Sequence, residues 1–324
     1  MRPGNFGYSK QFGFGYAIPR KSPLIDFRRG TLPSGVTLTR ASTGTYVDSA
    51  GVLQTAAIDA ARFNYLNKGV LGIPSLLVEP ASTNLWLRSQ EFDNAVWTKG
   101  GASIDVDVVN GPDGTATADL LKEDTSNGLH SITGATPIVS LGDTFHGGAI
   151  YVNAAGRTRM RTSLSDNAVA SFETTFRFDT GVISSNPPST SGNWSLIRSR
   201  IDALGSSWFR VSTSGYLTGG AGRSISLQFA LNNNAGVSYT GDGTSGENIW
   251  GAQFENARPS SYIPTTTGTV TRSADVCSFT IPAGVSGLLY LFDNNTTQYV
   301  AASPGSYQIP TNLNSYGIQA IWAL

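Results

Sequence analysis

Apolar and polar residues alternate with a period of two along most of the chain. Residues 224–231 are the clearest case, since Ile225, Leu227, Phe229 and Leu231 fall on one face. Successive side chains of a strand point to opposite sides, so this period indicates strands with one buried face. The same alternation recurs at residues 103–108, 172–178 and 208–212.

Turn-forming clusters separate these strands, with Gly-Pro-Asp-Gly at 111–114, Asn-Pro-Pro-Ser at 186–189 and Gly-Asp-Gly at 241–243. Short strands at this spacing predict a β-sandwich or barrel. A length of about 160 residues suits a jelly roll better than a seven-stranded immunoglobulin domain. We therefore predict an all-β chain in which residues 97–257 form a jelly-roll β-sandwich.

The segments around the sandwich predict further parts. Residues 1–24 form an extended arm, and residues 25–96 an anchor region of short strands with a hairpin that turns at residues 49–51. Residues 258–275 form a return segment that pairs with this region. Residues 276–324 carry about five strands and form a small C-terminal β domain, too small to be stable without neighbours.

The arm is dense in aromatic residues, which are Phe6, Tyr8, Phe12, Phe14 and Tyr16. Gly and Pro between them exclude a regular helix. A flexible tail that is aromatic by chance is one interpretation. We favour an arm whose rings occupy pockets of another subunit, because rings exposed at this density promote aggregation.

Composition excludes several classes of function. Lys plus Arg equals Asp plus Glu, 22 against 22, so the chain has no net positive charge that would attract nucleic acid or an anionic membrane. The lone Cys277 excludes an internal disulfide, and beside apolar neighbours it is typical of a small buried residue. No apolar run reaches the roughly 18 residues of a membrane span. The N-terminus lacks the apolar core of a signal peptide, so we expect synthesis in the cytoplasm without export.

No motif points to catalysis. The sequence has no nucleophile elbow and no phosphate-binding loop, and its two histidines allow few triads. We therefore predict no catalytic residue and no cofactor. Glycosidases place their two acids by fold rather than by spacing, so a glycan-degrading enzyme stays an alternative. Asp105 and Asp107 fit a solvated strand face better than such a pair.

Three segments that lie far apart in the sequence carry long, distinctive runs of residues, which we call phrases. One runs from Arg-Ala-Ser-Thr-Gly-Thr-Tyr-Val-Asp at residue 40 to Arg-Phe at 62–63. Another is Leu-Val-Glu-Pro-Ala-Ser-Thr-Asn-Leu-Trp from residue 77, and the last is Ile-Trp-Gly-Ala-Gln-Phe-Glu at 249–255, with Thr-Arg-Ser-Ala-Asp at 271–275. Together they resemble the head-spike and tail-fibre proteins of tailed bacteriophages and gene transfer agents. In those proteins such phrases frame a sugar-binding jelly roll. The resemblance spans about residues 40–275.

The resemblance implies a structural appendage subunit, located on the surface of a phage or phage-like particle made in a bacterial cytoplasm. Expected partners are a capsid or spike-base protein, host capsular or other surface polysaccharide, and further copies of the chain. The short arm and compact length favour a head spike over a tail fibre. A polysaccharide depolymerase and a ligand-free decoration protein are the alternatives.

Sugar sites combine aromatic rings, on which sugar C–H faces stack, with polar side chains that bind hydroxyls. Trp194 follows a Pro- and Ser-rich loop and is either a sugar platform or a ring packed into that loop. Tyr151, Tyr216 and Tyr239 are further candidates, each also typical of a core or sheet surface.

Charged candidates complete the expected site. Arg157, Arg159 and Arg161 alternate, which predicts that all three point the same way from one strand. Such a stripe either binds acidic sugars or is a solvated face paired with acids on the next strand. The resemblance also implies structural calcium, for which the candidate ligands are Glu91, Asp93 and Glu255; ordinary polar contacts are the alternative.

Overall fold

A computed structural model describes residues 17–67, 70–134, 138–140, 142–166, 171–184, 193–313 and 317–324. Strands make up the regular structure of these residues, apart from one 3₁₀ turn at Gly205–Ser207. The all-β prediction is therefore confirmed. Within these ranges no helix has the length and apolar character needed to cross a membrane. The predicted arm residues Phe6, Tyr8, Phe12, Phe14 and Tyr16 lie outside the described residues.

The strands are numbered in chain order. The first fourteen are β1 Ile25–Asp26, β2 Thr37–Thr39, β3 Gly44–Val47, β4 Leu53–Ala56, β5 Phe63–Asn67, β6 Val70–Leu76, β7 Ser82–Asn84, β8 Trp97–Gly100, β9 Ala102–Val109, β10 Ala118–Glu123, β11 Asn127–Leu129, β12 Ser131–Gly134, β13 Ile138–Val139 and β14 Thr144–Ala155. The others are β15 Arg159–Asp166, β16 Ser171–Arg177, β17 Val182–Ile183, β18 Trp194–Ala203, β19 Phe209–Leu217, β20 Ser224–Leu231, β21 Ser238–Thr240, β22 Gly246–Glu255, β23 Val270–Arg272, β24 Val276–Ile281, β25 Gly287–Phe292, β26 Thr297–Ala301, β27 Gly305–Gln308 and β28 Ile318–Ala323.

The described residues divide into two compact units. Unit 1 contains residues 17–81 and 272–324, and unit 2 contains residues 82–271. Residues 276–324 therefore do not form the separate small domain that the sequence predicted. They share unit 1 with the N-terminal strands because β28 pairs with β1 and β24 pairs with β2. The predicted return segment pairs through β23, whose partner is β7.

The main apolar core of unit 1 lies between two sheets, and Leu289, Leu291, Ala320 and Trp322 form a second, smaller buried cluster. The larger sheet has the order β26-β25-β28-β6-β5, with β1 beside β28, and the smaller has the order β2-β24-β27. Leu38 and Phe279 of the small sheet join Tyr290 and Ile321 of the large sheet in this core. Cys277 lies among them, and burial raises the pKa of its thiol to about 12, so the group stays a neutral thiol. The predicted hairpin is confirmed as β3–β4, which turns through Gly51 at φ +80°.

A buried ion cluster joins distant parts of unit 1. Asp275 is fully buried and pairs with Arg40 (Nη1 to Oδ1, 3.1 Å) and Arg62 (Nη2 to Oδ2, 2.6 Å). Arg62 also pairs with Glu79 at 2.8 Å, and Arg272 lies 3.5 Å from the Glu79 carboxylate. Buried charges are stable only when they are paired and hydrogen-bonded, so each member fixes the others.

Unit 2 is a jelly roll. We call its six-stranded sheet β18-β19-β14-β22-β10-β9 the front sheet, and the sheet β17-β16-β15-β20-β12-β8, with β13 beside β20, the back sheet. The eight central strands in chain order are β10, β12, β14, β15, β16, β19, β20 and β22. In the front sheet, β10 (first) pairs with β22 (eighth), β22 with β14 (third) and β14 with β19 (sixth). In the back sheet, β12 (second) pairs with β20 (seventh), β20 with β15 (fourth) and β15 with β16 (fifth). This is jelly-roll connectivity.

The core of unit 2 lies between the front and back sheets. Ile225, Leu227, Phe229 and Leu231 of β20 are each no more than 1% exposed, as the alternation predicted. From the front sheet, the inward residues Ile150, Val152, Val211, Leu217, Ile249 and Phe254 belong to the same cluster. Each strand therefore presents alternate residues inward, and the other set forms the outer face of its sheet.

We expect Asp275→Asn to destabilise the protein by about 3–5 kcal/mol, because it leaves buried guanidinium groups without their counter-charge. Urea unfolding of the full chain measures this. Asp26→Asn is the matched control, since the Asp26–Arg28 pair in the same unit is about one-third exposed (33% and 35%) and should cost less than about 1 kcal/mol. Equal costs of the two substitutions would contradict the prediction.

Candidate functional site

The outer face of the front sheet brings together a ring, arginines and hydroxyls. In antiparallel pairs, directly opposite residues share a face. Tyr216 of β19 lies opposite Phe145 of β14 on one side and Ser195 of β18 on the other. The next rows place Arg198 opposite Ser214 and Arg200 opposite Ser212. We call this surface the front face, and define it by the outward residues of β14, β18 and β19 with residues 258–260.

The aromatic part of the front face is a pair of rings under a guanidinium group. The Phe145 and Tyr216 ring centroids lie 5.1 Å apart at 70°, an edge-to-face arrangement. The Arg258 guanidinium carbon lies 4.3 Å from the Phe145 centroid, within cation–π distance. All three side chains are half-buried, so part of the Tyr216 ring is open to solvent while its position is fixed by packing.

Residues 258–260 border the front face along β14. The Arg210 guanidinium donates to the Ser260 carbonyl oxygen at 2.6 Å, which ties this segment to β19. A Cβ atom at Gly147 would lie 2.8 Å from Cδ of Pro259 and 2.6 Å from Cβ of Ser214. Glycine is therefore required at residue 147, because any side chain would displace Pro259.

The front face is strongly cationic. It carries Arg198, Arg200, Arg210 and Arg258. Among the described residues of β14, β18, β19 and 256–261, Asp202 is the single acid. Asp202 is paired with Arg200 at 2.6 Å, and its side chain is only 5% exposed. The chain as a whole has no net charge, so this is a local concentration of positive charge that a ligand would meet.

Arg159 and Arg161 lie elsewhere, on the outer face of the back sheet. Arg161 pairs with Glu173 of the neighbouring β16 at 2.9 Å. Arg159 lies opposite Arg177, which pairs with Asp179 at 2.8 Å. This matches the alternative of a solvated face whose arginines are paired with acids nearby.

The prediction that Arg157 points the same way as the other two is wrong. Arg157 precedes β15, after a turn at Gly156 with φ +95°, so strand alternation does not apply to it. Its guanidinium binds the Glu123 carboxylate through both Nε (2.8 Å) and Nη2. Glu123 is 1% exposed, so this bidentate pair closes the end of the sandwich.

Tyr239 belongs to the same buried cluster. Its ring is 7% exposed, and its hydroxyl donates to Glu123 at 2.6 Å. Burial alone would raise the pKa of Glu123, but the bonds from Arg157 and Tyr239 outweigh it and hold that pKa below its ordinary value. As arranged, the Tyr239 ring offers no exposed face for a sugar.

Tyr151 and Trp194 are also buried. Tyr151 is 2% exposed and packs against Trp250 and Tyr262, with centroids 5.5 and 6.0 Å away. Burial raises its pKa to about 12. Trp194, which the sequence places directly after a loop, begins β18; it is 4% exposed and lies edge-on to Phe172 at 5.4 Å. Its ring points into the core because its partner in β19 is the inward Leu217.

The three calcium candidates are not brought together. Glu91 pairs with Arg88 at 2.7 Å. Glu255 is fully buried and accepts hydrogen bonds from Ser82, Gln253 and the Ser260 amide (2.7 Å). Within the described ranges, no group of three or more His, Cys, Asp or Glu side chains is arranged to hold a metal ion.

Of the predicted sugar ligands, the front face contains Tyr216, which is partly exposed, and Tyr151, which stands opposite Arg210 but is buried. Sequence reasoning missed Phe145, Arg198, Arg200 and Arg258. Arg198 and Arg200 do alternate in the sequence, but they gain significance only from the strand register that sets them beside Tyr216. Arg258 and Phe145 are far apart in sequence, and only the path of residues 256–261 brings them into contact.

A second carboxylate at the end of the sandwich has unusual surroundings. Glu247 lies in β22 between Leu121 and Ala154 of the flanking strands and is fully buried. Neither carboxyl oxygen has a hydrogen-bond partner among the described residues. Burial raises the pKa of Glu247 well above its ordinary value, partly opposed by the charge of Arg157.

We expect Glu247→Gln to raise Tm at pH 7.5 and to leave it nearly unchanged at pH 4. The folded state keeps Glu247 protonated while the unfolded chain ionises it, so wild-type stability is full below the unfolded pKa and falls as pH rises towards the folded pKa. Glutamine matches the neutral form at every pH. Thermal unfolding between pH 4 and 8 tests this.

Glu123→Gln is the control, because its effect on stability at pH 7.5 should have the opposite sign. The pKa of Glu123 is lowered in the folded state, so its charged form stabilises the fold above the unfolded pKa, and that contribution is lost as pH falls. The Glu123→Gln variant should therefore lose stability at pH 7.5. A Glu247→Gln profile parallel to that of the wild type at every pH would contradict the prediction.

Comparison with known proteins adds no relative: no protein-family model matches the chain, and no curated protein matches it. Membership in the phage appendage family therefore stays a prediction.

Proposed function

We propose that this protein is a structural appendage subunit of a phage or phage-like particle, and that unit 2 binds host surface polysaccharide on its front face. The observation that carries the binding proposal is the half-buried Tyr216 side chain set beside Arg198, Arg200 and the accessible serines 195 and 212. A ring for the apolar face of a sugar, with guanidinium and hydroxyl groups for its polar edges, is the combination that sugar recognition needs.

Packing supports a recognition role for this face. Tyr216 is held against Phe145, and Arg258 is held over Phe145. Groups fixed before the ligand arrives lose little conformational freedom on binding, which favours affinity. A single shallow face still binds a sugar weakly, so several copies on one particle would supply avidity.

Location on a particle is proposed from the sequence phrases. Attachment of the subunit through its aromatic N-terminal residues is part of the same proposal. The division of the described residues into two units, each compact by itself, agrees with a spike more readily than with a long fibre, which needs an extended shaft.

Glycan hydrolysis is the second candidate function, and the front face favours binding over it. A glycosidase needs two acids that flank the scissile bond. Among the described residues of the front face, Asp202 is the single acid, and it is ion-paired. Glu123 and Glu247, on both of which the charge of Arg157 acts, are 1% and 0% exposed. Asp105 of β9 pairs with Lys122 at 2.6 Å.

We expect purified full-length protein to bind members of an array of bacterial surface polysaccharides, and Tyr216→Ala to weaken that binding about tenfold or more. The reason is the loss of the stacking surface, worth about 1.4 kcal/mol or more. Biolayer interferometry on the positive polysaccharides measures the change. Tyr299→Ala, which removes a 38% exposed tyrosine from unit 1, is the matched control and should bind normally.

Three outcomes separate the functions. Binding that needs Tyr216 supports a glycan receptor. Release of reducing ends from a bound polysaccharide would support a depolymerase. No retention of any polysaccharide would contradict the binding proposal and favour a decoration protein without a ligand.

A further inference from the structure

The two arginines of β18 reach the front face because the strand contains a β-bulge. Ser195 lies opposite Tyr216, but the next residue with a partner in β19 is Arg198, opposite Ser214. Three residues therefore cover the step that two would normally cover. Without the extra residue, Ile197 would lie opposite Ser214, and Arg198 would turn towards the core.

Burial agrees with this register. Ile197 and Ile201 pack against the core of unit 2. Ser199 lies within hydrogen-bond distance (2.7 Å) of Thr174, an inward residue of the back sheet that is 1% exposed. The residues between them, Arg198 and Arg200, consequently point outward. The bulge decides which set faces the ligand.

The bulge is strained. Leu196 has φ +48°, a left-handed conformation that is unfavourable for a leucine, and 64% of its surface is exposed. The exposed leucine gains no burial that would offset this strain. Strain of this kind persists where it serves a function, and a bulge that re-aims side chains is a known case. Here its effect is to place two arginines on the front face.

The two sheets use similar arginine pairs differently. Arg159 and Arg161 on the back sheet stand at the same i, i+2 spacing as Arg198 and Arg200, roughly 7 Å along a strand. The back-sheet pair lies next to Glu173, whose carboxylate is 2.9 Å from Arg161. On the front face, four arginines stand near two buried acids: Asp202, and Glu255, which lies opposite Gly147 and accepts from the Ser260 amide. A ligand at the front face thus meets excess positive charge.

We infer that the front face selects anionic polysaccharides, with carboxylate-bearing sugars bound at Arg198 and Arg200 and an adjacent sugar stacked on Tyr216. A planar guanidinium group matches a carboxylate through two parallel hydrogen bonds. Two such groups in successive rows suit a polymer whose carboxylates repeat along the chain. This inference rests on the proposed glycan-binding function and adds the chemical class of the glycan.

The first test compares each polysaccharide that the wild type binds with its carboxyl-reduced derivative, in which uronic acids become neutral hexoses with the same linkages. We expect the positive polysaccharides to be uronate-bearing, and reduction to weaken binding at least tenfold. Equal affinity for native and reduced forms, or positives that are all neutral, would overturn the inference while the proposed glycan binding stands. Absence of any binding contradicts the proposed function itself.

The second test uses two double variants that remove the same charge. Arg198→Gln with Arg200→Gln should weaken binding of the native acidic polysaccharide about 100-fold, about tenfold for each charged contact. Arg159→Gln with Arg161→Gln should bind within about twofold of the wild type. Equal losses in both would indicate a general charge effect and overturn the inference.

A third double variant distinguishes the loss of bidentate hydrogen-bond geometry from the loss of charge and from unfolding. Arg198→Lys with Arg200→Lys keeps the charge but loses the planar fork, so we expect an affinity between those of the wild type and the glutamine variant. The Tm of each variant shows whether it is folded. If the folded lysine variant binds as weakly as the glutamine variant or as tightly as the wild type, bidentate recognition at these two arginines is contradicted.

Discussion

The buried charge of Asp275 is the constraint on which unit 1 depends. A carboxylate removed from water needs its counter-charges in place, and here they come from Arg40 and Arg62, more than 200 residues earlier in the chain. Glu79 then requires the charge of Arg62 and of Arg272. Each of the long sequence phrases supplies at least one member of this cluster. Their joint occurrence therefore has a physical reason: none of these charges can be buried without the others.

Residues of the same phrases also stabilise unit 2, through hydrogen bonds between uncharged groups. The Asn84 side chain donates to the carbonyl oxygens of Ala252 and Ile263 at 3.2 and 2.8 Å, and its oxygen accepts from the Phe254 amide at 3.1 Å. Ser89 lies 2.7 Å from the Tyr262 hydroxyl. A single buried amide thus joins the start of the jelly roll to its end. Asn84 and the members of the Asp275 cluster, which belong to the phrases, are thus framework residues that hold distant segments together.

Strand alternation predicted the fold well because it follows burial directly. Residues 224–231 form a strand with the predicted bounds, because the segment has one fully apolar face. Prediction failed where tertiary contacts decide. Trp194 follows a loop-like sequence but is inward, and Arg157 alternates with Arg159 in the sequence but stands outside the strand. The placement of residues 276–324 in unit 1 was not predicted either, because nothing local indicates that β28 pairs with β1.

The candidate site was harder to predict than the fold because it depends on register. Alternation with a period of two cannot reveal where a β-bulge shifts the strand register. The shift at Leu196 reverses which residues of β18 face outward. Framework and front face are consequently separate sets of residues. Outward positions such as Arg198 and Tyr216 can change without disturbing the Asp275 cluster or the Asn84 contacts. The same buried polar framework can therefore support different surface chemistries. The phrases accordingly indicate an architecture, whereas the proposed ligand contacts lie on the front face.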